Sequence, residues 1–280
     1  MVIFLEKKFH VQGHRGARGL MPENTIESCT TAIRLGVGGL EIDVVCSADG
    51  QIVVSHDPWM SPVFCSYPNG APVLNANTEF TSPIGMGVNL YRMSYYLIRQ
   101  FDCGSRENAR FPLQMLRKSH KPTLIELIEA VDQFCKEHNL PKPFFNIEVK
   151  SHPKWYGKYV PMPTEFIKLL RHPLSILPFD TYYISSFDPR FLRAFKKENP
   201  KVTLAYLTEN RLSLKDNLRK LSFKPDIYSP YYRRLNDKTI RLCKKMGIQI
   251  ITWTVNDLNV MRKLKQRGIS GIITDFPDII

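Results

Sequence analysis

From residue 144 onward the chain repeats one unit: a short β-branched or aromatic run, a turn, then an amphipathic segment with capping residues. The apolar runs fall at 144–149, 182–187, 202–207, 226–229, 249–255 and 271–274. Between them, Asp188 precedes Pro189 at a first helical position, Ser213 stands three before Asp216, and Asn236 opens a segment closed by Gly247. A further helix starts near Asn256 or Asp257 and stops at Gly268. Capping side chains satisfy the free N–H groups of a helix's first turn, and glycine accepts the left-handed conformation that ends one. Strand alternating with helix at this spacing means parallel βα units, because parallel neighbours need a long crossover.

The first 57 residues follow the same scheme. A strand ends at His14, a helix capped by Asn24 with Glu27 runs to Gly36, and a second strand covers 40–45. The next connection, Ser47-Ala48-Asp49-Gly50, is too short for a helix, so 51–56 reads as the return arm of an antiparallel hairpin. With that arm set aside, two early and six late strands make eight, and the expected architecture is α/β, a TIM (β/α)8 barrel. Residues 58–122, before the capping box Thr123-x-x-Glu126, lack the βα rhythm and are rich in Pro, Gly, Asn and Ser, with one amphipathic stretch at 89–101. So long an irregular connection is usually functional. It is expected to be a small cap inserted in a single domain of residues 1–280, lying over the barrel mouth and shaping the substrate pocket.

Composition narrows the partners. No apolar run approaches the roughly 20 residues of a membrane helix, so stable membrane insertion is not expected. Residues 1–9, with Glu6, Lys7 and Lys8, are too short and too charged for a secretory signal. Lys and Arg total 39 against 26 Asp and Glu, a formal charge of +13 that draws in phosphate-bearing partners. The basic residues come singly or in pairs such as Lys196-Lys197, Arg233-Arg234 and Lys244-Lys245, a solvated surface rather than a nucleic-acid stripe. An anionic small molecule is therefore expected, and a homo-oligomer stays open. Six cysteines at 29, 46, 65, 103, 135 and 243 show no metal-finger spacing. They are expected to be reduced and structural; a Cys65–Cys103 bridge within the insertion is conceivable but unsupported. These features point to the cytoplasm, or to the periplasm or outside the cell if a leader was removed.

Active sites of this barrel form at the C-terminal strand ends. Here those ends carry His14-Arg15-Gly16, Glu41-Ile42-Asp43 and Glu148-Val149-Lys150. The period of two puts Glu41 with Asp43, and Glu148 with Lys150, on shared faces. If the hairpin turn centres between Ala48 and Asp49, Asp43 faces Val54 and Glu41 faces His56; a slip of one or two residues still keeps His56 near this mouth. Charges inside a barrel are costly unless paired or bound to metal. Three carboxylates suit one hard divalent cation, Mg²⁺ or Ca²⁺. Arg15 offers a planar fork to phosphate and Lys150 a point charge, and His14 and His56 can divide acid and base roles. Together they describe phosphodiester cleavage.

Gly13-His14-Arg15-Gly16, Pro22-Glu23-Asn24-Thr25, Glu41-Ile42-Asp43-Val44 and Val53-Val54-Ser55-His56-Asp57 resemble the glycerophosphodiester phosphodiesterase family in order and spacing. Later segments agree: Asn146 to Lys150, Thr252-Trp253-Thr254-Val255-Asn256, Gly271 to Pro277 and, in the insertion, Phe101 to Ser105. The resemblance implies a TIM barrel that hydrolyses glycerophosphodiesters to sn-glycerol 3-phosphate and an alcohol. It implies Glu41, Asp43 and Glu148 as cation ligands, His14 and His56 as the acid–base pair, Arg15 and Lys150 on phosphate, and Trp253 on the glycerol side. It also implies attack by the glycerol 2-hydroxyl through a cyclic phosphate, leaving open which histidine is first the base.

Other residues read more plainly. His10, His120, His138, His152 and His172 have surface or satisfied roles. Glu23 either turns toward the site or supports the loop at Asn24, the supporting role being favoured. Trp253 is substrate wall or barrel filling, and Asn146, Asn256 and Asp275 are site or packing residues. The competing functions are a phospholipase-type enzyme acting on lipid, for which the insertion's aromatics such as Trp59, Phe64 and Tyr96 leave room, and a non-catalytic phosphodiester-binding barrel. The latter would tolerate loss of a histidine or carboxylate, and none is lost.

Overall fold

The computed structural model describes residues 9–74 and 88–280; residues 1–8 and 75–87, the latter inside the insertion, lie outside the described residues. Nine strands form one sheet: β1 (His10–His14), β2 (Gly39–Cys46), β3 (Ile52–Val54), β4 (Phe144–Val149), β5 (Tyr182–Ser186), β6 (Leu204–Thr208), β7 (Ile227–Pro230), β8 (Gln249–Thr252) and β9 (Gly271–Thr274). All but β3 are parallel, and β1 pairs with both β2 (Gln12↔Gly39) and β9 (Val11↔Ile272), which closes an eight-stranded barrel. Helices α1 (Ile26–Arg34), α3 (Leu124–Glu137), α4 (Pro163–Ser175), α5 (Pro189–Glu198), α6 (Leu214–Leu221), α7 (Asp237–Met246) and α8 (Leu258–Gln266) cover the outside, and α2 (Tyr95–Ile98) lies in the insertion.

The caps read from sequence hold for α3, α5, α6, α7 and α8, where Thr123, Asp188, Ser213, Asn236 and Asp257 each accept a first-turn N–H. At α1 the cap is Thr25, not Asn24. Asn24 sits one residue earlier at φ 58° and is used by the site instead.

Period-two alternation sorts the strands into an outer and an inner face. Outward residues such as Ile42, Ile147, Ile184 and Leu204 pack against Leu127, Phe166, Phe191 and Leu264 of the helices. Inside, Tyr183, Ala205, Ile227, Ile251 and Ile273 fill one side, with Trp253 against them. Tyr183 also joins a polar network: it exchanges hydrogen bonds with Gln12 at 2.9 and 3.0 Å, Asn146 donates to Gln12 at 3.1 Å, and Ser185 donates to Asn146 at 2.6 Å. Asn146 thus belongs to a buried network beneath the site.

The hairpin register differs from expectation by one residue. Val44 faces Val54, and Ser55 N–H donates to the Asp43 carbonyl at 3.0 Å. The connection is a five-residue turn closed by Ser47 N–H to Gln51 O at 3.0 Å, with Gly50 at φ 77° supplying the left-handed step. Such a slip would send His56 to the outer face, but β3 stops at Val54, and the chain turns there with Ser55 Oγ donating to the Asp57 carbonyl at 2.7 Å.

The insertion has its own apolar cluster, in which Met60, Leu90, Ile98 and Phe101 pack on Val45 and Val53 of the hairpin. Contrary to the expectation from sequence, not all six cysteines are reduced: Cys65 and Cys103 form a disulfide within that cluster, while Cys29, Cys46, Cys135 and Cys243 are free and buried. Among the described residues no helix is long and apolar enough to cross a membrane.

Candidate active site

The mouth at the C-terminal strand ends holds a cavity of about 620 Å³. His14, Arg15, Glu41, His56, Glu148, Lys150 and Trp253 all line it. A larger cleft, about 900 Å³, lies at the N-terminal strand ends around His10 and Phe144 and contains none of these groups. His120, His138, His152 and His172 do not line the site cavity either.

Strand pairing creates the acidic centre. Asp43 and Glu148 are directly opposed on β2 and β4, and Glu41 stands two residues before Asp43 on the same face. One oxygen from each of Glu41, Asp43 and Glu148 lies within 4.8 Å of the other two, all three residues being buried. Burial, reinforced by the charges of Asp43 and Glu148, pushes the Glu41 carboxyl well above the ordinary range. Burial also works against ionised Asp43, but Arg15 and Lys150 hold its carboxyl well below that range. Asp43 Oδ1 is buried with no hydrogen-bond donor; its nearest cation is Lys150 Nζ at 3.5 Å. Converging oxygens of this kind, one lacking a donor, fit a hard divalent cation.

The loop after β1 aims the basic groups. Arg15 has φ 52° and Gly16 φ 83°. A Cβ on Gly16 would stand 2.5 Å from the Ser28 carbonyl carbon, so only glycine lets the loop close on α1. The loop turns Arg15 N–H onto Glu41 Oε2 at 3.0 Å, while its guanidinium meets Asp43 at 3.1 Å and Glu23 at 2.7 Å. Glu23 therefore turns toward the site and pairs with Arg15, instead of the favoured role at the Asn24 loop, and its second oxygen lies 3.7 Å from Arg18. Lys150 Nζ binds Glu148 at 2.6 Å.

The two histidines are held differently. His14 Nδ1 lies 2.6 Å from Asp275 Oδ1, and its Nε2 lies 3.8 Å from Glu41 Oε2. A carboxylate there can only accept, so Nδ1 carries the proton and Nε2 is left as an acceptor facing the acidic centre. Burial, with Arg18 adding to it, pushes the His14 imidazolium down to about 4 despite the Asp275 contact. His56 is about one-third exposed, and its Nδ1 lies 2.7 Å from Asp57 Oδ1.

Three further residues contribute to the site. Asp275, at the end of β9, accepts from Arg18 Nε at 2.9 Å and from Asn256 at 2.8 Å as well as holding His14. Asn24 donates to Asp43 Oδ2 at 3.0 Å and accepts the Asp43 N–H at 3.2 Å. Arg110 is the one described residue of 58–122 that lines the cavity, so the insertion shapes this pocket at a single point among the described residues. Asp275 was visible only as a strand end, and nothing in the local sequence marks Arg110.

The chain is similar to known proteins in sequence and in fold. Residues 14–279 match the model of the glycerophosphoryl diester phosphodiesterase family. The chain is 28% identical to a glycerophosphodiester phosphodiesterase of Caldanaerobacter subterraneus subsp. tengcongensis, covering 96% of this chain and 95% of that one. It is 24% identical to human lysophospholipase D GDPD1, over 98% of this chain and 84% of that one. Its fold is similar to that of an Oleispira antarctica phosphodiesterase solved with the product sn-glycerol-3-phosphate, with a TM-score of 0.74, 23% identity, and 97% and 94% of the two chains covered. A family match that runs over nearly the whole chain settles the relationship: the chain belongs to the glycerophosphoryl diester phosphodiesterase family.

Proposed function

We propose that the protein hydrolyses glycerophosphodiesters to sn-glycerol 3-phosphate and an alcohol, with one divalent cation, Mg²⁺ or Ca²⁺, held by Glu41, Asp43 and Glu148. The observation that carries this reading is the orientation of His14, fixed by Asp275 so that an unprotonated Nε2 faces the acidic centre. A bound cation would supply positive charge to polarise a phosphoryl oxygen and lower the pKa of a coordinated hydroxyl.

The chain's own groups then divide the work. Arg15 and Lys150 bind the phosphate oxygens, and Trp253 lies against the organic part of the substrate. His14 Nε2 takes the proton from the glycerol 2-hydroxyl as its oxygen attacks phosphorus. His56 protonates the departing alcohol oxygen as that P–O bond breaks. In the second half His56 takes a proton from water, and His14 returns one to the 2-oxygen as the cyclic diester opens. The product named for the Oleispira antarctica neighbour supports the same end point.

A coupled assay for sn-glycerol 3-phosphate released from glycerophosphocholine tests this. Turnover by the wild-type protein, with losses of about 10²-fold or more in His14→Ala and His56→Ala at unchanged circular dichroism, is expected. Near-wild-type rates in both variants would remove the acid–base assignment.

Lipid substrates form a second reading with its own support. Leu113, Met115 and Leu116 are exposed (83%, 67% and 41%) on the segment that delivers Arg110 to the cavity. Choline release from lysophosphatidylcholine in the same assay series distinguishes it. The Cys65–Cys103 bond supports an oxidising compartment over the cytoplasm.

A further inference from the structure

A second cleft lies at the mouth end of the barrel, where β6 and β7 lead into α6 and α7. It measures about 780 Å³ and shares no lining residue with the site cavity. Five cations line it: Arg211 and Lys215 from the β6–α6 side, and Arg233, Arg234 and Lys238 from the β7–α7 side. Along the chain they are scattered, and the pairing of β6 with β7 brings them together. No carboxylate is among the described residues that line the cleft. Asp216 and Asp237, at the two helix starts, are engaged elsewhere, with Arg219 at 3.0 Å and Arg267 at 2.8 Å. Five like charges in one cleft, at the positive ends of two helices, favour an anion. Leu212 and Leu242 line the same cleft and are exposed. Cations beside open leucines suit an anion that carries hydrocarbon better than they suit free phosphate.

A feature of the same kind stands across the mouth. In the insertion Phe111 is buried against Phe276 and Arg18, and Gln114 donates to the Arg18 and Met21 carbonyls at 2.6 and 3.0 Å. Met115 N–H donates to the Leu20 carbonyl at 2.8 Å, which fixes the segment on the loop after β1. These anchors leave the side chains of Leu113 and Met115 exposed, followed by exposed Arg117 and Lys118. β1 and β6 are four strands apart in either direction around the closed barrel, so the two features flank the mouth from opposite sides. Exposed apolar side chains rimmed by polar ones mark interaction surfaces.

We infer that the mouth end of the barrel docks on an anionic phospholipid surface. Lipid phosphates enter the cleft beside Arg211 and Arg234, while Leu212, Leu113 and Met115 reach the boundary between headgroups and acyl chains. The negative surface potential attracts the basic rim, and burial of the apolar tips adds to it. Such docking is peripheral and needs no spanning helix. It sets where the protein sits, not which diester it cleaves, and does not depend on the phosphodiesterase reading above.

Co-sedimentation with vesicles tests this, using phosphatidylglycerol mixed with phosphatidylcholine against phosphatidylcholine alone. Wild type is expected to sediment with the anionic vesicles only. Arg211→Gln combined with Arg234→Gln should weaken that partitioning about thirtyfold. Leu113→Ser combined with Met115→Ser should weaken it about tenfold, both mouth variants keeping the circular dichroism of wild type. Lys244→Gln combined with Lys245→Gln removes the same charge at the far end of α7 and should change it by no more than about twofold. No wild-type binding to anionic vesicles, unchanged partitioning in either mouth variant, or an equal loss in the Lys244 and Lys245 variant would overturn the docking face. Inorganic phosphate bound in calorimetry by wild type but not by the Arg211 and Arg234 variant, in a protein that ignores vesicles, would overturn the lipid occupant and leave a site for free phosphate.

Discussion

At the scale of single residues the site works by controlling which groups are charged. Asp275 fixes the tautomer of His14 through a 2.6 Å contact while Arg18 and Asn256 hold the carboxylate itself. Asp275→Asn keeps the shape but can present its N–H₂ to Nδ1, which shifts the proton to Nε2 and removes the base. A fall of about 10²-fold or more in kcat/KM is expected, with unfolding by urea showing a folded protein. A variant as active as wild type would detach Asp275 from the chemistry. His14 also ties stability to pH. Its folded value is pushed down to about 4 from an ordinary 6.5, so between these pH values the unfolded chain binds a proton that the folded chain does not. Stability therefore falls as pH drops from 6.5 toward 4. Asp275, held below the ordinary carboxylate range although burial opposes this, contributes above that range and loses its share only at lower pH. Unfolding midpoints measured with EDTA across pH 6.5 to 4 should fall less steeply in His14→Asn than in wild type. Equal slopes would contradict the burial argument.

At the scale of elements, the loop after β1 depends on backbone conformation as much as on side chains. Gly16 at φ 83° lies against the α1 backbone. Gly16→Ala should therefore cost about 1–3 kcal/mol in urea unfolding, and an unchanged midpoint would show that the loop tolerates a side chain. The strands and helices were legible because hydrophobic period and capping residues are local signals, and Thr123 with Glu126 or Asn236 with Gly247 report one helix each. The carboxylates of Glu41, Asp43 and Glu148 were legible for the same reason, since period two sets them on the faces opposite Ile42, Val44, Ile147 and Val149. What escaped was non-local. His14 meets Asp275 because barrel closure sets β9 beside β1, a contact across 261 positions that no spacing announces. The hairpin register slipped because a five-residue turn with Gly50 in the left-handed region replaced the expected four-residue one. Asn24 was assigned to the helix end by its residue type, yet Thr25 took the cap and released Asn24 to Asp43.

At the scale of the molecule, the barrel and the insertion are stabilised by different means. The barrel core is a continuous layer between strands and helices, whereas the insertion rests on a smaller cluster crossed by the Cys65–Cys103 bond. Cross-linking a loop of this length contributes about 2–4 kcal/mol by restricting the unfolded chain. Reductant should lower the melting temperature of wild type and leave a Cys65→Ser, Cys103→Ser double variant unmoved. The same reductant sensitivity in both proteins would place the effect elsewhere.

The central claim is that Glu41, Asp43 and Glu148 hold a divalent cation on which cleavage of a glycerophosphodiester depends. The measurement that tests it most directly is sn-glycerol 3-phosphate release from glycerophosphocholine and glycerophosphoethanolamine by EDTA-treated protein, before and after adding Mg²⁺ or Ca²⁺. Silence after EDTA, with turnover restored by one of the two ions in wild type but not in Glu41→Gln, is the predicted result. Full turnover by the stripped protein, or equal restoration in Glu41→Gln, would contradict it.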